Sequence, residues 1–393
     1  MKKWLLFICC VASVLNLQAR VRVSLLTCSP GDEAYSLYGH TAIRVENPSE
    51  NFDYAFNYGV FSFDQPNFIW RFVLGECDYM ILPVPWRYFE REYRERGSSV
   101  TEQELNLTDA EAEHLMALLL LNSQPENREY RYDFFRDNCT TRVRDMIERV
   151  LTDDVVYPDL QNDDDKPLTH RRMLHQYNGA EEWSQEGCDI LLGAETDTIL
   201  SQRATMFLPE YMMRYAEGAV IRDSINNVRP LVRQTRIVVP QGEVRPIAFL
   251  PYSPKVVTWS LLVLFAALLL VERFMHYQLW MIDIAVLLFQ GVVGILLLFM
   301  MLVSHHPGVH HNWLLWPFTP LALWGMVLVV KAAWRGGRTK WHAFSFAYLT
   351  AFLVFSPWIP QEFGNIIVPL TLSLLTRPIS YLMAYGKDDK KLK

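Results

Sequence analysis

From Pro254 to the C-terminus the sequence carries five apolar stretches, at about 256–272, 279–303, 314–331, 342–358 and 364–383. Each is near the length needed to cross the hydrocarbon core of a bilayer. Nothing else in the chain restricts the fold so strongly, because a segment in lipid must satisfy its backbone polar groups internally and so crosses as a helix. The fifth stretch, with Pro369, Arg377 and Pro378, is the weakest. A charge near its end has to snorkel toward the head groups, and a re-entrant segment is the alternative. Before Val256 the chain is rich in Asp, Glu and Arg, so the 393 residues divide into a polar part and a membrane part.

Charge in the gaps orients the membrane part. Lys331, Arg335, Arg338 and Lys340 follow the third stretch, and Lys387, Lys390, Lys391 and Lys393 follow the fifth. Basic clusters of this kind stay in the cytoplasm, which puts the polar part outside it. The first residues, MKKWLLFICCVASVLNLQA, combine a positive start, a short apolar run and a small residue at Ala19, as a secretory signal does. Leu17 is a poor companion to Ala19 at a cleavage site, which keeps an uncleaved anchor open. Cys9 and Cys10 lack the small residues of a lipoprotein signal before them. The expected organisation is a signal peptide at 1–19, an extracytoplasmic domain at 20–253, an all-α transmembrane bundle of about five helices at 254–386, and a basic cytoplasmic tail at 387–393. The protein is then a multi-pass protein of the cytoplasmic (inner) membrane.

The net charge of −6 and the lack of a Lys/Arg cluster on the polar part exclude a nucleic-acid partner. No cofactor is implied. The Asp run at 163–165 lacks the Gly and closing Glu of a calcium loop and reads as a solvated loop. In the outer loop SHHPGVHHNW, at 304–313, His305, His306, His310 and His311 show no standard metal-ligand spacing. A polar loop at the membrane interface, meeting a lipid head group, fits it better than a zinc site. The segment 151–205 is polar and irregular enough for a lid or linker.

The polar part reads as α+β: strands come first and helices later. Residues 21–27 alternate as a strand, HTAIRVEN from His40 starts a second, and DYAFNYGVFSF at 53–63 gives a third that can lie beside it. FVLGECDYMILPVP looks extended. Thr108 and Glu111 form a capping box ahead of the helix EAEHLMALLLLN. In REYRYDFFRDNCTTRVRDMIERV an extended piece ends at Asn138, and a helix with an apolar stripe at Val143, Ile147 and Val150 begins. Cys139 falls in its first turn, where free N–H groups and the helix dipole favour a thiolate, with Arg136 and Arg142 to reinforce it. Such a nucleophile needs a base, and the base needs a third group to fix it. His40 offers the first, and Asn57 or Asp53 the second.

The plainer readings stand beside this one. Cys28, Cys77, Cys139 and Cys188 are an even set that two disulfides would use up, with Cys28–Cys77 one pairing, and His40 can simply bond to a backbone carbonyl. His170 and His175 compete as partners for the thiol, whereas His114 lies among charges on a helix. Three functions remain open: an acyltransferase, a thiol hydrolase in which water resolves the intermediate, and a non-catalytic membrane sensor or scaffold.

The runs LLTCSPGDEAYSLYGHTAIRV, DYAFNYGVFSFDQPNFIWRFVLGECDYM, LNLTDAEAEHL, PENREYRYDFFRDNCTTRVRDMIE, LLGAETD and MFLPEYMM resemble the extracytoplasmic domain of the Lnb-type lipoprotein transacylase family over about 20–220, followed by a similar multi-helix tail. The YGH and DNC motifs are also similar to those of permuted NlpC-like and lecithin:retinol acyltransferase-like enzymes. The resemblance implies a permuted papain-like fold in which the histidine precedes the cysteine, with His40 and Cys139 in those roles. It further implies transfer of a fatty acyl group from the sn-2 ester of a bacterial lipoprotein's diacylglyceryl group, through a Cys139 thioester, to the lipoprotein's N-terminal amine. Tyr38 and Asn138, beside the dyad, and His305, His306 and Asn312 of the outer loop are the expected binding residues. The partner is a lipoprotein or lipid in the membrane.

Overall fold

The computed structural model describes residues 20–31, 33–64, 66–160, 166–178, 182–223, 225–243, 252–275, 277–335 and 337–385. The expected signal at 1–19, the Asp run at 163–165 and the basic tail at 387–393 lie outside them. The chain falls into two compact units, one drawn from 1–71, 76–168 and 200–247 and the other from 72–75, 169–199 and 248–393.

The first unit is α+β. Its sheet has seven strands, every neighbouring pair antiparallel, in the order β10-β5-β1-β2-β3-β4-β6. These are β1 (Arg22–Cys28), β2 (His40–Asn47), β3 (Phe52–Val60), β4 (Asp78–Pro85), β5 (Val100–Leu105), β6 (Glu129–Arg131) and β10 (Val232–Val239). A second sheet joins β7 (Asp154–Val156), β8 (Val220–Arg222) and β9 (Val228–Pro230). Successive strand residues point to opposite faces, and Leu25 and Leu26 are both fully buried, so both faces of the sheet centre are covered. Helix α1 (Trp86–Arg96) places Phe89 and Tyr93 against Leu26, Cys28, Ala42 and Ala55. Helix α2 (Asp109–Asn122) starts with both halves of the expected box: Glu111 N–H donates to Thr108 Oγ1 at 3.3 Å, and Thr108 N–H to Glu111 Oε2 at 2.7 Å. Helix α3 (Cys139–Val150) buries Val143, Ile147 and Val150, the stripe read from the sequence, and packs on β2 and β3. The extended reading of FVLGECDYM fails at its start, because Phe68–Leu74 is a short helix ahead of β4.

The second unit holds helices α4 (Pro254–Met275), α5 (Trp280–Leu302), α6 (Leu321–Arg335), α7 (Trp341–Phe355) and α8 (Ile367–Tyr385). Among the described residues three helices are long and apolar enough to cross a membrane: Pro254–Met275, Trp280–Leu302 and Ile367–Ala384. Helices α6 and α7 have 15 residues each, about 22 Å of rise against a core of about 30 Å. Prolines shorten them: Pro317 and Pro320 delay the start of α6, and Pro357 follows α7 in a 3₁₀ turn. Arg377 does not snorkel as expected. Its Nε lies 2.6 Å from Asp283 Oδ1 and its Nη2 2.7 Å from Glu272 Oε1, and Ser380 also bonds Glu272, with all three charged side chains buried.

Of the 151–205 segment read as a lid or linker, the described residues between 169 and 199 are largely helical in this unit. They form helices at His170–Asn178 and Glu182–Leu191, tied by Arg171, which pairs with Asp189 and Asp197 at 2.8 Å each.

Candidate active site

The site begins at the N-terminus of α3. Asn138 caps it: its Oδ1 accepts from Thr140 N–H and Thr141 N–H at 2.8 Å each, and its Nδ2 donates to the carbonyls of Phe134 and Phe207, also at 2.8 Å. Every donor and acceptor of this carboxamide is therefore occupied, and its hydrogen bonds build the helix end. Cys139 follows as the first helical residue, 9% exposed.

His40 opens β2 directly after Gly39, whose φ of +75° lies in the left-handed region and whose added Cβ would stand 2.6 Å from the Cys28 carbonyl oxygen. Glycine is thus required there by both backbone conformation and space. In β3, Asn57 pairs with Ala42 in register, two residues along from His40. Asn57 Nδ2 donates to Ala55 O at 3.2 Å and Leu82 O at 3.4 Å, so its oxygen faces the ring, 3.2 Å from His40 Nε2. That oxygen can only accept, so Nε2 carries the proton and Nδ1 is the nitrogen left for the Cys139 thiol. Asp53 is not part of this group. It sits opposite Glu46, four residues along β3, and both its oxygens accept from Arg44 at 2.8 Å.

The thiol and the imidazole are electrostatically one unit. Burial alone would push the Cys139 thiol up, but the His40 charge and hydrogen bond, the Thr41 N–H and the Thr140 hydroxyl outweigh it and hold the thiol below its usual range. Burial likewise works to lower His40, and the Cys139 charge and hydrogen bond, with Asn57, raise it above the ordinary histidine value. Opposite shifts in two touching groups favour a thiolate–imidazolium pair. Thr140 Oγ1 lies 3.8 Å from the sulfur and 3.0 Å from Thr41 Oγ1, so the two hydroxyls can hand a hydrogen bond to the sulfur. Thr41 and Thr140 escaped the sequence reading; their positions, one residue past each member of the dyad, were the available signal.

Other expectations resolve differently. Arg142 is spent on Asp137, at 2.6 and 2.7 Å, and stacks 3.5 Å over the Tyr130 ring rather than serving the sulfur. Tyr38 packs edge-on to Phe134 at 5.2 Å. His175 is held by Asp189 at 2.9 Å within the second unit, and His114 is exposed on α2. Cys28, Cys77, Cys139 and Cys188 are all free thiols, so the two-disulfide reading does not hold. Cys28 bonds to Tyr93, and burial pushes its thiol up, which leaves it unreactive.

In the second unit the expected binding residues of the outer loop make hydrogen bonds within the unit. His305 N–H donates to Leu74 O at 2.7 Å, and His306 Nε2 lies 2.5 Å from Phe72 O. Asn312 is filled on both ends: Nδ2 donates to Ile190 O at 2.7 Å, and Oδ1 accepts from Leu314 N–H at 3.0 Å and Gln361 Nε2 at 3.2 Å. His310 Nδ1 lies 3.0 Å from Met301 O. The described residues hold no His/Cys/Asp/Glu group able to bind a metal ion.

Comparison with known proteins returned no match among curated proteins and none among solved structures. Two family models do match: that of the Lnb N-terminal periplasmic domain over residues 16–176, and that of the Lnb transmembrane domain over residues 247–388. The chain is therefore a membrane protein with an extracytoplasmic domain and belongs to the Lnb family.

Proposed function

We propose that this protein is a cysteine-dependent acyltransferase of the inner membrane, anchored by its C-terminal helices, that acts on bacterial lipoproteins. Family membership supports a membrane-associated role in lipoprotein processing. The observation that carries the chemistry is the mutual coupling of Cys139 and His40, with the thiol lowered, the imidazole raised and the ring oriented by Asn57. The chain order, a histidine strand before a cysteine helix, supports a permuted papain-like arrangement.

In the first step the Cys139 thiolate attacks the ester carbonyl of the diacylglyceryl group. The C–S bond forms, the ester C–O bond breaks, and His40 gives its proton to the departing alkoxide. In the second step the α-amine of the lipoprotein's N-terminal cysteine attacks the thioester. The C–N bond forms, the C–S bond breaks, and His40 takes the proton the amine loses. No cofactor enters either step.

The test is mass spectrometry of Cys139 in detergent-solubilised protein mixed with a diacyl lipopeptide. The expected result is a thioester-linked fatty acid on Cys139, absent from Cys139→Ala, and a lipopeptide that gains an N-acyl group as it loses an O-acyl group. Release of free fatty acid with no N-acylation would make the protein a hydrolase instead. An unmodified Cys139 would leave a sensor or scaffold.

A further inference from the structure

Tyr130, on the edge strand β6, carries a hydroxyl that the chemistry above does not use. The oxygen is buried and has no hydrogen-bond partner among the described residues. Buried hydroxyls are nearly always paired, so an orphan asks what it is waiting for. Around it the ring is held firmly: the Arg142 guanidinium lies 3.5 Å over its face, and Tyr58 and Tyr132 stand 6.2 and 6.4 Å away, centroid to centroid. Arg142 is in turn fixed by its two bonds to Asp137.

The hydroxyl lies near the nucleophile. Gly59, at the irregular end of β3, has a φ of +85°, and a Cβ placed there would lie 3.5 Å from Cys139 Cβ and 3.9 Å from Tyr130 Oη. Position 59, where Tyr132 Cε2 also comes within 3.5 Å, thus lies between the nucleophilic residue and the unpaired donor, and glycine keeps a side chain out of that space. A second donor converges on the same end of α3. Asn138 takes the N–H groups of Thr140 and Thr141, and Cys139 N–H, at the first helical position, has no intrahelical acceptor within reach. Burial, then the neighbouring Cys139 charge, push the phenol far above its ordinary range, so it stays protonated wherever the thiolate exists.

We propose that Tyr130 is a catalytic residue: its hydroxyl, with the Cys139 N–H, donates to the oxyanion that forms on the acyl carbonyl when Cys139 attacks. The inference rests on Cys139 being an acyl-accepting nucleophile, but not on which ester donates. Tyr130 gains and loses no proton; it stabilises charge that exists in the transition state and is absent from the ester.

The variant is Tyr130→Phe, which keeps the ring for Arg142, Tyr58 and Tyr132 and removes only the oxygen. Two reactions of Cys139 are compared in the full-length protein: acylation by a p-nitrophenyl acyl ester, followed as the nitrophenolate burst, and alkylation by iodoacetamide. Acylation passes through an oxyanion, whereas alkylation at a tetrahedral carbon does not. The expected result is a burst rate about a hundredfold lower, with KM and the alkylation rate unchanged. An unchanged burst would overturn the proposal and assign the hydroxyl to a bound water. Equal losses in both reactions would also overturn it, since Tyr130 would then act on the thiol or the fold. A wild-type burst without a diacyl-lipopeptide adduct would remove the lipoprotein donor and leave Tyr130 in place. No wild-type burst, with alkylation intact, would remove both.

Discussion

Asn57→Ala separates the two members of the dyad. Asn57 is among the groups that raise His40, and it has no direct part in lowering the thiol. A hydrogen bond to a charged partner contributes about 1.5–3 kcal/mol, here in favour of the protonated ring. Removing the oxygen 3.2 Å from Nε2 should therefore lower the His40 pKa. The sign can be followed limb by limb. Acyl transfer needs the thiolate, lost as pH falls through the depressed pKa of Cys139, and the imidazolium, lost as pH rises through the elevated pKa of His40. The alkaline limb of the acylation profile should move to lower pH while the acid limb stays. The assay is the p-nitrophenyl ester burst across a pH series, with iodoacetamide alkylation of Cys139 as the control for the acid limb. Freeing the carbonyls of Ala55 and Leu82 from Asn57 Nδ2 should also cost about 1–3 kcal/mol of stability, read as a lower melting temperature. An alkaline limb that does not move, or moves upward, would refute the assignment of Asn57 as the group that orients His40.

Three further substitutions probe the scaffold. Gly39→Ala must place a side chain at φ +75° against the Cys28 carbonyl, and should destabilise the first unit by about 1–3 kcal/mol and slow alkylation of Cys139 by displacing His40; a thermal melt with the alkylation rate checks both. Thr108→Ala removes one half of the α2 capping box and should cost about 1 kcal/mol with no change in the acylation pH profile; chemical denaturation reads the first and the burst assay the second. Arg377→Ala leaves Glu272 and Asp283 buried without their cation, which should cost about 3–5 kcal/mol, visible as early unfolding in a detergent thermal scan.

Much of the site could be read from residue order. His40 at the head of a strand, Cys139 at the head of a helix and the capping box at Thr108 are local patterns, and local patterns survive into the structure. The choice between Asn57 and Asp53 could not be made from sequence, because it depends on the β2–β3 register, and only the pairing of Ala42 with Asn57 brings the amide to the ring. The hydrogen bonds of Asn138 and Asn312 were not legible for one shared reason. A polar residue beside a motif looks available for substrate until the backbone groups that occupy it are known, and those of Phe207 and Ile190 are far away in sequence. Arg377 was misread because its partners, Glu272 and Asp283, lie on α4 and α5, about a hundred residues earlier. The segment 151–205 looked irregular because the Arg171 pairs with Asp189 and Asp197, 18 and 26 residues away, cannot be read from local pattern.

The hydrogen bond between Thr41 and Thr140 spans 99 residues of sequence, and the dyad spans the same distance. Neither cysteine nor histidine has an unusual neighbour in the chain able to activate it alone; the sulfur acquires its charge from a strand that only tertiary assembly delivers. A freshly made or unfolded chain therefore carries an ordinary thiol, no more prone to attack esters or to be oxidised than any free cysteine. On the proposed chemistry, reactivity requires the sheet closed against α3, a contact between segments far apart in sequence. Under that proposal the domain is its own safety catch: until strand and helix meet, Cys139 is a thiol like any other.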